Sequence, residues 1–104
     1  MSIGRYTVRW LSIAEQDFQD IVLYVAADNI SAAETLAHRI ERHVQRLVRH
    51  PYLGRIPSDH QLAAMGYRVL VIGDYLIFHK VKGKTVLIHR MLHGARDLRS
   101  LLDD

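Results

Sequence analysis

Residues 67–92, YRVLVIGDYLIFHKVKGKTVLIHRML, contain three apolar runs separated by two short turns that each hold a glycine. Runs rich in β-branched and aromatic residues between such turns predict strands, here at Tyr67–Ile72, Tyr75–Val81 and Val86–Leu92. Gly73-Asp74 suits a two-residue hairpin. Because the apolar residues are consecutive in the first two runs, both faces of these strands are expected to be covered. The stretch predicts an antiparallel three-stranded meander.

The residues before this stretch begin with one predicted strand and one predicted helix. Arg5–Trp10 alternates between polar and apolar side chains, which is the pattern of a half-buried strand. Ser12 and Glu15 have the spacing of a capping box, in which the serine caps the helix and the glutamate reaches back to the serine amide. Asp28-Asn29 is the expected end of this first helix.

A second helix is predicted immediately afterwards. Ser31 and Glu34 repeat the capping box. Pro51 enforces the end of the helix, because proline lacks an amide donor and disfavours helical geometry in the residue before it. Both helices are amphipathic and the turn between them is short, so we expect an antiparallel hairpin whose apolar seam is covered by a sheet. Residues 52–65 are predicted to be a loop with a helical turn at Gln61–Met65.

The order of these elements gives the fold prediction. We expect a single α+β domain over residues 1–104 with the order β-α-α-β-β-β, in which an antiparallel four-stranded sheet packs on the α-helical hairpin. Residues 96–102 are expected to add a short C-terminal helix or tail. A chain of 104 residues with 49% hydrophobic content can bury one core but hardly two.

Composition narrows the class of protein and of partner. The chain has no cysteine, which excludes disulfides, thiolate metal ligands and a cysteine nucleophile. It has no run of signal-peptide or membrane-spanning character, so we expect a soluble cytoplasmic protein without a membrane partner. Residues 1–48 carry a net charge of −1 and residues 49–104 a net charge of +4. The basic half suits an anionic partner or is an ordinary solvated surface, and composition leaves both open.

Four segments of the chain, taken in order, resemble the signatures of one protein family. They read HPYLGR, GYR, GDYLIF and MLHGARDL, at His50–Arg55, Gly66–Arg68, Gly73–Phe78 and Met91–Leu98. With the order of elements, they resemble the RelE/ParE superfamily, the toxins of type II toxin–antitoxin systems. The resemblance covers nearly the whole chain. It implies a cognate antitoxin as partner, in a toxin–antitoxin hetero-oligomer, and no cofactor.

Members of this superfamily divide by mechanism. RelE-like toxins cleave mRNA on the ribosome without a metal, whereas ParE-like toxins poison DNA gyrase and belong to plasmid stabilisation modules. The long helical hairpin and the ending Leu92–Leu98 resemble the ParE-like branch more closely, and the lysines common on nuclease faces are limited to Lys80, Lys82 and Lys84. The resemblance therefore favours gyrase poisoning. A ribosome-dependent mRNA endoribonuclease and an inactive homologue that only binds its antitoxin are the alternatives.

The resemblance also indicates site residues. In a nuclease, His93 would act as acid or base near neutral pH, and Arg68 would bind a phosphate bidentately. A structural role for His93 at the following turn is the equal alternative. We expect the antitoxin to lie over the basic sheet and the C-terminal region. The candidates for binding a phosphate or the antitoxin are Arg55, Arg68, Arg90 and Arg96.

Strand alternation limits which of these residues can share a site. His89, Met91 and His93 are expected on one face of the last strand and Arg90 on the other, so Arg90 and His93 can meet only if the strand has a bulge. His89 and His93 would lie about 13 Å apart, too far for one metal ion. We therefore expect no metal site. His79 is assigned to the surface.

Overall fold

In the computed structural model, which describes residues 5–94, a four-stranded sheet carries a helical hairpin on one face. The elements are β1 (Thr7–Trp10), α1 (Ser12–Asp28), α2 (Ile30–Gln45), a 3-10 turn (Arg46–Val48), α3 (His60–Ala64), β2 (Arg68–Ile72), β3 (Tyr75–Lys82) and β4 (Thr85–His93). The predicted α+β class and order of elements are confirmed. The helix or tail predicted at residues 96–102 lies outside the described residues.

The sheet has the strand order β1-β4-β3-β2. Strands β2, β3 and β4 form the predicted antiparallel meander. The prediction of a purely antiparallel sheet is wrong at one pairing, because β1 runs parallel to β4 and places Arg9 opposite Leu87. Parallel neighbours need a long crossover connection, and the helical hairpin followed by β2 and β3 provides it. The sheet is therefore mixed.

The caps of the two long helices differ from the predicted capping boxes. The residue that caps α1 is Leu11, whose side chain cannot accept a hydrogen bond, and Ser12 lies inside the helix. The cap of α2 is Asn29, whose side-chain oxygen accepts from the Ala32 amide at 2.9 Å. This second helix begins at Ile30, before the predicted cap Ser31. None of the helices in residues 5–94 is both long and apolar enough to cross a membrane.

The main core lies between the hairpin and one face of the sheet. Its buried members come from both helices, the 3-10 turn and three strands: Ala14, Ile40, Val44, Leu47, Leu70, Ile72, Ile77, Val86, Ile88 and Met91. A smaller cluster lies on the other face of the sheet, which we call the open face because α1 and α2 do not cover it. It joins α3 to the strands through Leu62, Tyr67, Val69, Phe78 and Leu92.

A register shift in β4 changes the predicted alternation. Phe78 of β3 lies opposite Arg90, whereas the next residue of β3, His79, lies opposite Ile88. His89 is thus an extra residue, as in a β-bulge. Ile88 and Met91 consequently both face the main core, so the prediction that Met91 shares a face with His89 is wrong. The bulge precedes Arg90, so Arg90 and His93 keep the alternation predicted for them. Arg90 lies opposite Phe78 of the open-face cluster, and His93 lies opposite Tyr75, which packs on the main core.

Candidate functional site

Arg68 holds a loop against the sheet. Its Nη1 donates to the carbonyl of Tyr52 at 3.0 Å, and its guanidinium lies 5.4 Å from the centre of the Tyr52 ring. Arg68 precedes Val69, which belongs to the open-face cluster, so alternation places the Arg68 side chain on the hairpin side of the sheet. The predicted phosphate ligand is therefore half-buried and engaged with the chain itself.

His93 ends β4 as an exposed residue. It lies opposite Tyr75 of β3, and the two ring centres are 5.2 Å apart. His93 also lines a shallow depression next to α1 together with Asp17, Asp20 and Arg90. Arg90 and His93 thus both line this depression beside α1, although they alternate along β4.

The two residues predicted to be catalytic are far apart. Arg68 of β2 lies opposite His79 of β3, whereas His93 of β4 lies opposite Tyr75 of β3. His79 and Tyr75 are four residues apart along β3, and β3 lies between β2 and β4. Two strand spacings of about 4.8 Å and four residues of about 3.3 Å place the Cα atoms of Arg68 and His93 about 16 Å apart. The fold does not form one site from this pair.

Arg90 is held by an acidic residue of α1. Its Nε and Nη2 donate to the carboxylate of Asp17 at 2.8 and 3.1 Å. The side chains of Arg90 and Asp17 are only 16% and 15% exposed. This pairing gives the predicted phosphate ligand a structural role between helix and sheet. Arg96, the remaining arginine of the prediction, lies outside the described residues.

Arg55 bonds to β2 through its backbone. Its amide and carbonyl bond to Val69 at 2.9 Å each and extend the edge of β2 by one bridge. Arg55 also lines an apolar groove on the open face, between the loop before α3 and the strands β2 and β3. The lining is Arg55, Ile56, Pro57, Ser58, Asp59, Leu62, Val69, Val71, Leu76 and Phe78. Ile56 and Val71 are exposed in this groove.

His79 is fully buried, so its assignment to the surface is wrong. Its Nε2 lies 2.9 Å from the carbonyl of Leu53, to which the protonated nitrogen donates. Its Nδ1 is buried without a hydrogen-bond partner among the described residues. Burial lowers the pKa of His79, the bond to Leu53 opposes this shift, and the nearby charge of Arg68 adds to it. The ring is therefore neutral near pH 7 and anchors the loop from inside.

Tyr67, Lys80 and His89 form a cluster on the open face that sequence reasoning missed. The Tyr67 hydroxyl lies 3.2 Å from Nδ1 of His89, and Nζ of Lys80 lies 4.5 Å from the centre of the Tyr67 ring. Burial lowers the pKa of His89 and the charge of Lys80 lowers it further. Burial also raises the pKa of Tyr67. Both side chains that can exchange protons are thus held neutral beside a cation.

Comparison with known proteins identifies the family. A family model described as the ParE toxin of the type II toxin–antitoxin system, parDE, matches residues 8–98. The chain belongs to this toxin family. No curated protein matches the sequence of the toxin significantly.

Two solved structures have the fold of this ParE-family toxin. One is described as the chromosomal ParDE toxin–antitoxin system from P. aeruginosa; it shares 23% identity with a TM-score of 0.70, over 88% of this chain and 98% of that one. The other is the RelBE2 toxin–antitoxin complex of Mycobacterium tuberculosis, with 24% identity and a TM-score of 0.58, over 90% of this chain and 97% of that one. At these identities, both matches establish the shared fold.

Charge divides the toxin into two layers. Helices α1 and α2 carry six acidic residues against two arginines. The rest of the described chain carries ten Arg and Lys against two acidic residues, Asp59 and Asp74. The side of the molecule formed by the sheet and its loops is therefore strongly basic, and the hairpin side is acidic. Residues 5–94 contain no group of three His, Asp or Glu side chains placed to hold a metal ion.

Proposed function

We propose that this ParE-family toxin inhibits bacterial growth by poisoning DNA gyrase, and that a cognate antitoxin neutralises it. The observation that carries the choice of target is the separation of Arg68 from His93. Cleavage of RNA by its own 2′-hydroxyl needs a base, an acid and a cation around one phosphodiester. The Cα atoms of Arg68 and His93 lie about 16 Å apart, and the guanidinium of Arg68 is engaged with Tyr52, so the two side chains are not arranged around one phosphate.

The experiment compares two activities of the purified toxin. We expect inhibition of supercoiling by gyrase and no cleavage of mRNA on programmed ribosomes. The variant His93→Ala, at an exposed residue, is expected to leave the inhibition of gyrase within twofold. Ribosomal cleavage that His93→Ala abolishes would overturn the proposal. Activity in neither assay would instead favour a homologue that only binds its antitoxin.

For the antitoxin, we propose that an extended segment with apolar and acidic side chains lies in the groove beside β2. The exposed Ile56 and Val71 offer apolar surface, and Arg55 offers a cation at its rim. Because this side of the molecule is basic, an acidic segment is attracted to it. Docking of this kind suits a partner that becomes ordered on binding.

Paired substitutions test the groove. Val71→Asp places a charge in the groove and is expected to weaken antitoxin binding at least tenfold in calorimetry. Leu23→Asp, at an exposed apolar residue of α1, is the control and is expected to leave the affinity unchanged. Equal effects of the two substitutions, or none from Val71→Asp, would place the antitoxin elsewhere.

The second candidate function is an mRNA endoribonuclease, and the cluster of Tyr67, Lys80 and His89 is the observation that favours it. A phenol and an imidazole 3.2 Å apart can exchange a proton, and a nearby ammonium can stabilise the charge of a phosphorane. Against this role, Nε2 of His89 is buried and does not reach a ligand in this conformation. If ribosomal cleavage occurs and His89→Ala abolishes it while His93→Ala does not, the cluster is the catalytic site.

A further inference from the structure

Three cations form a strip on the open face that becomes visible only with the observed strand order. Tyr6, Val8 and Trp10 pack on the main core, so Arg9 of β1 points to the open face by alternation. Val81 also packs on the main core, which places its neighbours Lys80 and Lys82 on the open face. We call Arg9, Lys80 and Lys82 the basic track.

The register of the sheet fixes the spacing of the basic track. Arg9 pairs with Leu87 of β4, and Leu87 pairs with Lys80 of β3, so one residue lies between these two cations. Two strand spacings give a Cα separation of about 10 Å, and Lys82 follows Lys80 at about 7 Å along the strand. Thr85, which lies between Thr7 and Lys82 in the next row, adds a hydroxyl group to the strip.

No carboxylate of residues 5–94 pairs with a member of the basic track. Asp59 caps α3 by accepting from the Leu62 amide at 3.0 Å. Asp74 lies in the turn between β2 and β3, at the end of β3 opposite to Lys82. The other acidic residues of the described chain belong to α1 and α2. Arg9 shares a depression with Glu15 and Glu41 of the hairpin without an ion pair, whereas Lys80 and Lys82 have no carboxylate of the described chain beside them on the open face. The pKa of the adjacent His89, which the charge of Lys80 lowers, is consistent with this.

We propose that the basic track binds the phosphodiester backbone of a nucleic acid, at a site separate from the antitoxin groove. Cations and hydroxyl groups spaced along an exposed surface are the usual ligands of backbone phosphates. A peptide would also need apolar pockets for its side chains, and Leu87 is the apolar side chain that the strip contains. The proposal rests on the proposed function only for the source of the nucleic acid, which would be the DNA bound by gyrase.

Binding is measured by fluorescence anisotropy with single-stranded DNA, double-stranded DNA and RNA of one sequence, without gyrase. If three phosphates are contacted, log K for single strands is expected to fall with log salt at a slope of about −2. We expect Arg9→Gln/Lys82→Gln to weaken binding about tenfold or more and to make this slope less steep. Arg39→Gln/Arg42→Gln on α2 removes the same charge elsewhere and is expected to change the affinity less than threefold.

Each result decides the proposal. Equal losses in the two double variants would mean that net charge alone drives binding. Tighter binding of an acidic peptide of matched charge, weakened by the same track substitutions, would make the track a peptide site. If oligonucleotides bind through the track but gyrase is not inhibited, the track is supported and the gyrase proposal fails. Preference for DNA or RNA among the three probes identifies the source.

Discussion

Asp17 of α1 and Arg90 of β4 form a bidentate ion pair, with distances of 2.8 and 3.1 Å, directly after the bulge. The same carboxylate accepts from the Met91 amide at 3.0 Å. The pair therefore fixes α1 to β4 next to His89, the residue at which the inward and outward alternation of β4 side chains is interrupted. Through this contact, Met91 enters the core and His93 comes to lie beside α1.

Removal of Asp17 is expected to destabilise the fold strongly. Asp17→Ala leaves the guanidinium of Arg90 and the Met91 amide without this carboxylate in a largely buried setting. Breaking such a pair costs about 3–5 kcal/mol of the free energy of unfolding, which urea denaturation measures. Asp20→Ala, at an exposed residue of the same helix, is the control and should stay within about 0.5 kcal/mol. Similar losses in both variants would contradict the role assigned to Asp17.

The two histidines with lowered pKa values, His79 and His89, predict loss of stability in acid. In the unfolded chain both titrate near pH 6.5, so between this value and the lower folded pKa the unfolded state binds more protons. The contribution of these two histidines to the free energy of unfolding is therefore fully present above about pH 6.5, and it is lost as the pH falls toward their folded pKa values. Urea denaturation between pH 8 and pH 5 measures the decline.

Substitution of the histidines separates their contribution from that of the carboxylates. His79→Gln keeps a donor for the Leu53 carbonyl, and His89→Gln keeps a polar partner for Tyr67. We expect the double variant to lose most of the decline between pH 7 and pH 5.5, whereas His38→Gln, at an exposed residue of α2, should retain it. An unchanged decline in the double variant would mean that these two rings are not the groups that titrate.

Local sequence patterns were sufficient to predict most of the elements. The turn at Gly73-Asp74 and the runs on either side determine the meander, because both depend on residues close in sequence. The parallel pairing of Arg9 with Leu87 depends on where the hairpin returns the chain, which alternation within β1 cannot reveal. The basic track was missed for this reason.

The site was less predictable than the fold because its geometry depends on contacts distant in sequence. The bulge at His89 lies next to the contact between Asp17 and the Met91 amide, two residues that are 74 positions apart in the chain. The burial of His79 depends on a loop residue, Leu53, whose carbonyl bonds to the ring. Motifs identified the superfamily through Arg68 and His93, but only the sheet register shows that these two residues lie far apart.

The cap of α2 offers a test of a predicted feature against an observed one. Asn29→Ala removes the acceptor of the Ala32 amide and is expected to lower the free energy of unfolding by about 1 kcal/mol. Ser31→Ala, at the predicted cap, should change it by less than about 0.5 kcal/mol, because Ser31 lies within the helix and is exposed. Thermal and urea denaturation check both values. A larger loss from Ser31→Ala than from Asn29→Ala would instead support the predicted capping box at Ser31.

Gly54, in the segment HPYLGR, is expected to tolerate no side chain. Its φ is +109°, and a Cβ atom there would lie 2.5 Å from the carbonyl oxygen of Val69, the group that accepts from the Arg55 amide. Gly54→Ala therefore combines backbone strain of about 1–3 kcal/mol with a displaced loop. Gly66→Ala, where φ is +88° and a Cβ would meet no described atom within 4 Å, carries the strain alone. Urea denaturation should show a clearly larger loss in the free energy of unfolding for Gly54→Ala than for Gly66→Ala. If the groove beside Arg55 is the docking site, Gly54→Ala should also weaken antitoxin binding. Equal losses in the two variants would mean that the contact with Val69 adds nothing.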